Sequence, residues 1–147
     1  MPSASELENY LSDTVWGRQA NVYFTVTRTD TTMNYDLDRN CKLAFPTNSM
    51  AECDAISAAA KNSSTDFNIY YVAAVDQAIG WTINAYGETW TAANGANSPV
   101  NHTAHEVGHL LGIINYESTN SLDVMLSYGD PSNPYRVIRH DWNIVNP

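Results

Sequence analysis

The chain has 147 residues and a formal net charge of −9, with 16 acidic residues against 7 basic ones. A chain of this length buries one sizeable core, which predicts a single domain over residues 1–147. The negative charge argues against nucleic acid as a partner, and the apolar runs are too short for a membrane span.

The first predicted elements are a helix and a strand. Ser3 and Glu6 have the spacing of a capping box, and apolar residues follow at helical intervals, which predicts a helix that ends before Gly17. The stretch NVYFTVTR, residues 21–28, is rich in β-branched and aromatic residues and predicts a strand. Residues 29–47 show no clear period and predict a loop.

A second helix is predicted over 49–61, because Ser49 and Glu52 repeat the capping-box spacing. The only two cysteines, Cys41 and Cys53, lie on either side of its start. A disulfide between them is the favoured interpretation, and two buried thiols in a reducing compartment are the alternative.

Two segments with strand character come next, at residues 67–76 (FNIYYVAAVD) and 79–95 (IGWTINAYGETWTAANG). Gly, Asn and Asp separate the β-branched and aromatic runs within them, as between strands. The order of the predicted elements to this point is helix, strand, helix and several strands.

A central helix is predicted after these strands. Ser98 suits its N-cap, Pro99 its first position and Gly112 its end. On a helical wheel one stripe is apolar, and it consists of Val100, Ala104, Val107 and Leu111. Three histidines cluster opposite that stripe, with a glutamate beside them: His102, His105, His109 and Glu106.

The pattern H-E-x-x-H at residues 105–109 predicts a metal site. His105 and His109 are one helical turn apart, so both imidazoles can bind one Zn²⁺, and Glu106 can take a proton from water at the edge of the site. The alternative is a set of solvated histidines, since so short a pattern also arises by chance. His102 is about 10 Å of helix rise from His109, which favours a place in the cleft wall.

The extended sequence HEVGHLLGIIN, followed by DVMLSY, resembles the metzincin clan of zinc peptidases. The resemblance implies a zincin-like α+β fold with a mixed twisted sheet, an active-site helix, a methionine turn and a C-terminal helix. It also implies zinc ligation by His105 and His109, catalysis by Glu106 as general base, a return of the chain to the metal at Gly112, and an apolar floor at Met125.

Asn115 occupies the position where that family has His or Asp as its third zinc ligand. It is the first candidate here, either as a weak ligand through its amide oxygen or as a replacement for Asp, whether engineered or evolved. Glu117, Asp123 and His140 are the other candidates. Tyr128 follows the methionine and could stabilise an oxyanion through its phenol, although a packed tyrosine is the alternative.

The resemblance implies a zinc-dependent endopeptidase that acts, as a monomer, on peptide or protein substrates, with a pro-segment or a protein inhibitor as a further partner. It implies a secreted or extracellular protein, or a delivered toxin domain. The first residues lack the pattern of a secretion signal, so export implies a processed form. The alternative function is a non-catalytic metzincin-fold module that has lost its third zinc ligand.

A last helix is predicted from the Asn-Pro pair in NPYRVIRHDWNIVNP, residues 133–147, with Ile138, Trp142 and Val145 on one face. By analogy with the family, GETWTAANGA at residues 87–96 supplies the upper rim of the cleft. It also supplies an extended edge on which a peptide can lie as an added strand.

Overall fold

The computed structural model describes residues 1–31, 40–41, 51–75, 80–93, 99–114, 118–120, 122–126 and 136–147. Within these ranges the chain is an α+β fold built around a mixed sheet. None of its helices there has the length and apolar character that a membrane crossing needs. Most of the predicted loop, and the predicted caps Ser49 and Ser98, lie outside the described residues.

The N-terminal helix has three consecutive parts: α1 (Ala4–Asn9), a π-helical stretch (Tyr10–Val15) and α2 (Trp16–Ala20). The predicted capping box is confirmed, since Ser3 N donates to Glu6 Oε2 at 2.7 Å and Glu6 N donates to Ser3 Oγ at 3.2 Å.

Gly17 does not end this helix, and that prediction was wrong. The helix continues to Ala20 and stops at Asn21, whose φ of 57° is left-handed. A Cβ at position 17 would lie 2.1 Å from Ser12 O, so glycine allows a close backbone approach beside the π-helical stretch.

Residues 21–28 do not form the predicted strand. Their polar backbone groups bond instead to helix side chains: Phe24 N donates to Ser12 Oγ at 2.9 Å, and Val26 N donates to Glu8 Oε2 at 2.7 Å. β-propensity alone therefore did not decide the outcome, because side chains of the preceding helix supplied the hydrogen-bond acceptors.

The strands are β1 (Asn40–Cys41), β2 (Asn68–Val72), β3 (Ala74–Val75), β4 (Gly80–Ile83) and β5 (Glu88–Ala92). β1 pairs with β3 in parallel. A three-stranded sheet has the order β2-β5-β4, with β2 parallel and β4 antiparallel to β5. β5 is therefore a central strand. The predicted edge at residues 87–96 was wrong, because among the described strands the edges of this sheet are β2 and β4.

The two faces of the sheet differ in chemistry. Tyr70 and Trp90 stack with ring centroids 5.4 Å apart on the face covered by α3 (Ala51–Ala60), where Cys53 joins the same core cluster. The opposite face presents threonine hydroxyls to the site helix, from Thr82, Thr89 and Thr91. A helix therefore packs on a polar surface at this side of the sheet.

Cys53 is buried and disulfide-bonded. The other cysteine of the chain is Cys41, and its side chain lies outside the described residues. The disulfide predicted from the sequence agrees with the state of Cys53.

The site helix α4 runs from Pro99 to Leu110. Its predicted apolar stripe is confirmed, since Ala104 and Val107 are fully buried in the main core and the two ends of the stripe pack against it. Thr103 and Glu106 are buried as well. The helical wheel predicted burial only for the apolar stripe. This second side of α4 is buried against a sheet surface lined by threonine hydroxyls, which accepts polar residues.

The last helix, α5 (Arg139–Val145), begins at Arg139 and not at the Asn-Pro pair. Its buried residue is Asp141, at 0% exposure, whereas Trp142 is 45% exposed, so the predicted apolar face was wrong at that position. Asn146 Nδ2 donates to Ala20 O at 2.9 Å, which ties this end of the chain to the end of α2.

Candidate metal centre

His105 and His109 form a pair on α4. Both side chains are half-buried, and their ring centroids lie 4.9 Å apart with the planes nearly perpendicular, at 87°. Helical spacing brings the rings together because residues four apart lie on the same face.

A Schellman motif ends α4 and orients His109. Gly112 has a φ of 103°, Gly112 N donates to His109 O at 3.1 Å, and Ile113 N donates to Gly108 O at 3.1 Å. This turn brings the carbonyl of Ile113 to 2.7 Å from His109 Nδ1. The glycine thus ends the helix and supplies a hydrogen-bond acceptor for one imidazole.

His105 is oriented by a turn at residues 122–126. Its Nδ1 lies 3.1 Å from Val124 O. The turn is held at both sides, since Val124 N donates to Arg136 O at 2.8 Å and Ser118 N donates to Met125 O at 2.7 Å.

These two contacts determine the tautomer of each imidazole. A carbonyl oxygen only accepts, so the Nδ1 atoms of His105 and His109 must be the donors. In the neutral ring the lone pair then lies on Nε2, the atom that binds a metal ion when Nδ1 donates to a carbonyl. The donor chemistry of the pair fits a divalent zinc ion.

An apolar floor lies against α4 at Gly108. A Cβ there would come within 2.3 Å of Met125 Sδ and 3.0 Å of Trp16 Cζ2. Met125 and Trp16 are both fully buried, and Trp16 Nε1 donates to Ala104 O at 3.0 Å. The thioether and the indole therefore contact the helix backbone beside the two histidines.

Glu106 is buried, at 7% exposure, between α4 and the sheet. Thr82 Oγ1 of β4 donates a short hydrogen bond to Glu106 Oε2, and Thr89 Oγ1 lies 3.5 Å from the same oxygen. Glu106 Oε1 lies over Gly80, where a Cβ would come within 2.2 Å of it. Oε2 of the Glu106 carboxylate is therefore bonded to the sheet, and Oε1 lies against Gly80, which has no side chain.

Two buried acids connect the turn to α5. Asp123 and Asp141 have 0% exposure, and their side chains are hydrogen-bonded to each other. Burial, and then the contact with Asp123, raises the pKa of Asp141 to about 7. Asp123 Oδ2 and Asp141 Oδ1 find no donor among the described residues, and a carboxyl proton shared by the pair would satisfy both atoms. Asp123 Oδ1 accepts from Met125 N at 3.0 Å.

The third-ligand candidates separate into two groups. Asn115 and Glu117 lie outside the described residues, as does Tyr128. Asp123 faces Asp141, and His140 is on the exposed side of α5. Within the described ranges no three His, Cys, Asp or Glu side chains form a group that could hold a metal ion.

Sequence reasoning missed three residues of this region: Trp16, Thr82 and Asp141. Trp16 lies far from α4 along the chain, and nothing in the sequence distinguishes Thr82 from the other threonines of the predicted strands. A hydrophobicity pattern places an aspartate on the surface, whereas Asp141 is buried with two partners, Asp123 and the backbone N–H of Ile138.

No protein-family model matches the chain, and comparisons with the curated proteins and with the solved structures found no match either.

Proposed function

We propose that this protein is a zinc-dependent endopeptidase with a metzincin-like site, in which His105 and His109 bind the metal ion and Glu106 is the general base. The observation that carries the proposal is the pair of Nδ1 contacts, with Ile113 O at 2.7 Å and with Val124 O at 3.1 Å. These contacts give both rings the tautomer of a zinc ligand, which solvated surface histidines would not need.

When bound, zinc supplies Lewis acidity, which lowers the pKa of water towards about 7 and polarises a carbonyl group. Glu106 accepts the proton of the attacking water and passes it to the departing amine. Its carboxylate suits this role because Thr82 bonds to Oε2 and leaves Oε1 as an acceptor.

The edge strand β4 supports a peptide as the substrate. It lies next to Glu106 and has β5 as its partner on one side. An extended peptide can add to the other side of such a strand through backbone hydrogen bonds. A peptide bound in this way would have its backbone beside Glu106.

Asn115 is the proposed third ligand, because by the resemblance it occupies the position where the metzincin clan has His or Asp. An amide oxygen is a weaker zinc ligand than a carboxylate or an imidazole. Asn115→Asp should therefore raise zinc affinity by about 10 to 100-fold, and Asn115→Ala should lower it. Equal affinities of all three forms, titrated against a fluorescent chelator, would exclude position 115.

Metal content gives the first test of the proposal. His105→Ala and His109→Ala should lose zinc after dialysis, whereas His102→Ala, a histidine earlier on the same helix, should keep about one ion per chain as in wild type. Zinc retained in both of the first two variants would contradict the proposal.

Proteolysis gives the second test. Glu106→Ala should keep its zinc and lose about 100-fold or more in the cleavage rate of a peptide library, since a general base contributes on this scale. A zinc-loaded wild-type chain that cleaves no peptide would favour the alternative, a non-catalytic module of the same fold.

A further inference from the structure

We infer that Thr82 is a positioning residue for Glu106, an inference that rests on the proposed function. The short hydrogen bond from Thr82 Oγ1 to Glu106 Oε2 joins the edge strand β4 to the site helix. Glu106 is buried and Thr82 is half-buried in the interface between the sheet and α4, where a hydrogen bond is stronger than in bulk water.

The surrounding hydroxyls show where the proton of Thr82 goes. Thr89 Oγ1 donates its own proton to Trp81 O at 3.0 Å. Thr82 Oγ1 lies 3.0 Å from Thr89 Oγ1 and 3.4 Å from Glu106 O, and both distances are longer than its contact with Glu106 Oε2. A hydroxyl has one proton, so the carboxylate receives it.

Gly80 sets the position of the other carboxylate oxygen. A Cβ at position 80 would lie 2.2 Å from Glu106 Oε1 and 2.6 Å from Glu106 Cδ. Only a residue without a side chain leaves this space. Thr82 and Gly80, two residues apart on β4, thus fix the two ends of one carboxylate: Oε2 is bonded to the sheet, and Oε1 remains available to a water molecule.

A general base acts efficiently only when its accepting atom is held in the productive position, and small displacements are costly for the rate. The role assigned to Thr82 is therefore in the chemical step and not in substrate affinity. Thr82→Val keeps the shape of the side chain and removes the hydroxyl, and Thr82→Ser keeps the hydroxyl.

The test compares these variants in the zinc-loaded full chain with the best peptide of a library. Thr82→Val should lower kcat by about 10 to 100-fold with KM changed by less than about 2-fold, and Thr82→Ser should restore most of the rate. Gly80→Ala should lower kcat in the same way, because it displaces Oε1 without removing the hydroxyl. Zinc content and the unfolding midpoint are measured for every variant.

Thr91→Val is the matched control. Thr91 is fully buried on the same face of the sheet, and its Oγ1 finds no hydrogen-bond partner among the described residues. This variant should keep the wild-type kcat. A double-mutant cycle of Thr82→Val with Glu106→Ala, read from the unfolding of the metal-free chain, should show non-additive effects, because each change removes the same hydrogen bond.

The outcomes separate the inference from the proposed function. A wild-type chain that cleaves peptides while Thr82→Val has the same kcat, or a loss in Thr82→Val that Thr82→Ser does not restore, overturns the role of Thr82 alone. Additive effects of Thr82→Val and Glu106→Ala on the unfolding free energy would show that the two residues are not hydrogen-bonded. A zinc-loaded wild-type chain without any cleavage overturns the proposed function, and the role of Thr82 with it.

Discussion

Gly108 is the residue on which the packing beneath the two histidines depends. In an exposed helix, replacing glycine by alanine is stabilising by about 0.5 to 1 kcal/mol. At this position the new Cβ would lie 2.3 Å from Met125 Sδ and 3.0 Å from Trp16 Cζ2. Both neighbours are fully buried and have little room to move.

Gly108→Ala should therefore destabilise the chain by about 1 to 3 kcal/mol, since overpacking a core outweighs the gain in helix propensity. It should also weaken zinc binding, because Met125 belongs to the turn that carries Val124, the partner of His105. Urea unfolding and zinc titration check both effects. A rise in stability would mean that the contact at Gly108 is looser than the structure places it.

At the scale of elements, the turn at Gly112 gives a second prediction. Its φ of 103° is strained for any residue with a side chain, so Gly112→Ala should cost about 1 kcal/mol of stability and should weaken zinc binding by displacing Ile113 O from His109. Gly87→Ala is the control, since Gly87 also has a left-handed φ, of 63°, but lies in the turn before β5. It should lower stability and leave zinc affinity unchanged, as measured by calorimetry.

Helix α4 was predictable from the sequence because its signals are local. Pro99 at its start, Gly112 at its end and the spacing of its histidines need no information from the rest of the chain. Residues 21–28 were mispredicted because a strand needs a partner strand, and the acceptors came instead from Ser12 and Glu8.

The same distinction between local signals and contacts from distant parts of the chain applies to the candidate metal centre. Helical spacing was enough to predict that the rings of His105 and His109 lie close together. The carbonyl groups that orient them, Val124 O and Ile113 O, belong to turns whose positions are determined only when the chain folds. Asp141 shows why the buried face of the last helix was mispredicted, since Asp141 contacts Asp123, a residue of a distant turn, besides its local bond from Ile138 N. Local helical spacing predicted the pair of histidines, and long-range packing supplied the carbonyl groups that orient the two rings.

At the scale of the whole molecule, the acid pair predicts how stability depends on pH. The folded chain raises the pKa of Asp141 from 3.8 to about 7, so the folded state holds this proton more tightly than the unfolded state does. The resulting stabilisation is complete below about pH 4 and is lost as the pH rises through about 7.

Asp141→Asn should remove this pH dependence, because the amide stays neutral and can still donate to Asp123. The stability of the variant relative to wild type should increase between pH 5 and pH 8 in thermal unfolding. Asp54→Asn, at an exposed position of α3, is the control and should give the same difference at both pH values. A constant difference for Asp141→Asn would argue against the shared proton.

The disulfide at Cys53 gives a further prediction for the whole chain. Reduction should lower the free energy of unfolding by about 2 to 3 kcal/mol, as for a short closed loop. Denaturant titrations with and without reductant measure the change, and thiol counting under native conditions checks the bond. Two reactive thiols in the native protein would contradict it.

The long-range contacts also determine when during synthesis the histidine pair acquires its support. Trp16 and Ala104 are 88 positions apart, and the bond between Asn146 and Ala20 spans 126 positions. Asp141 contacts Asp123, whose Oδ1 accepts from Met125 N in the turn that orients His105, so this turn gains part of its support only once α5 has been synthesised. During synthesis the histidine pair therefore precedes part of the framework that orients it, and a chain that stops short of α5 should fold without that support.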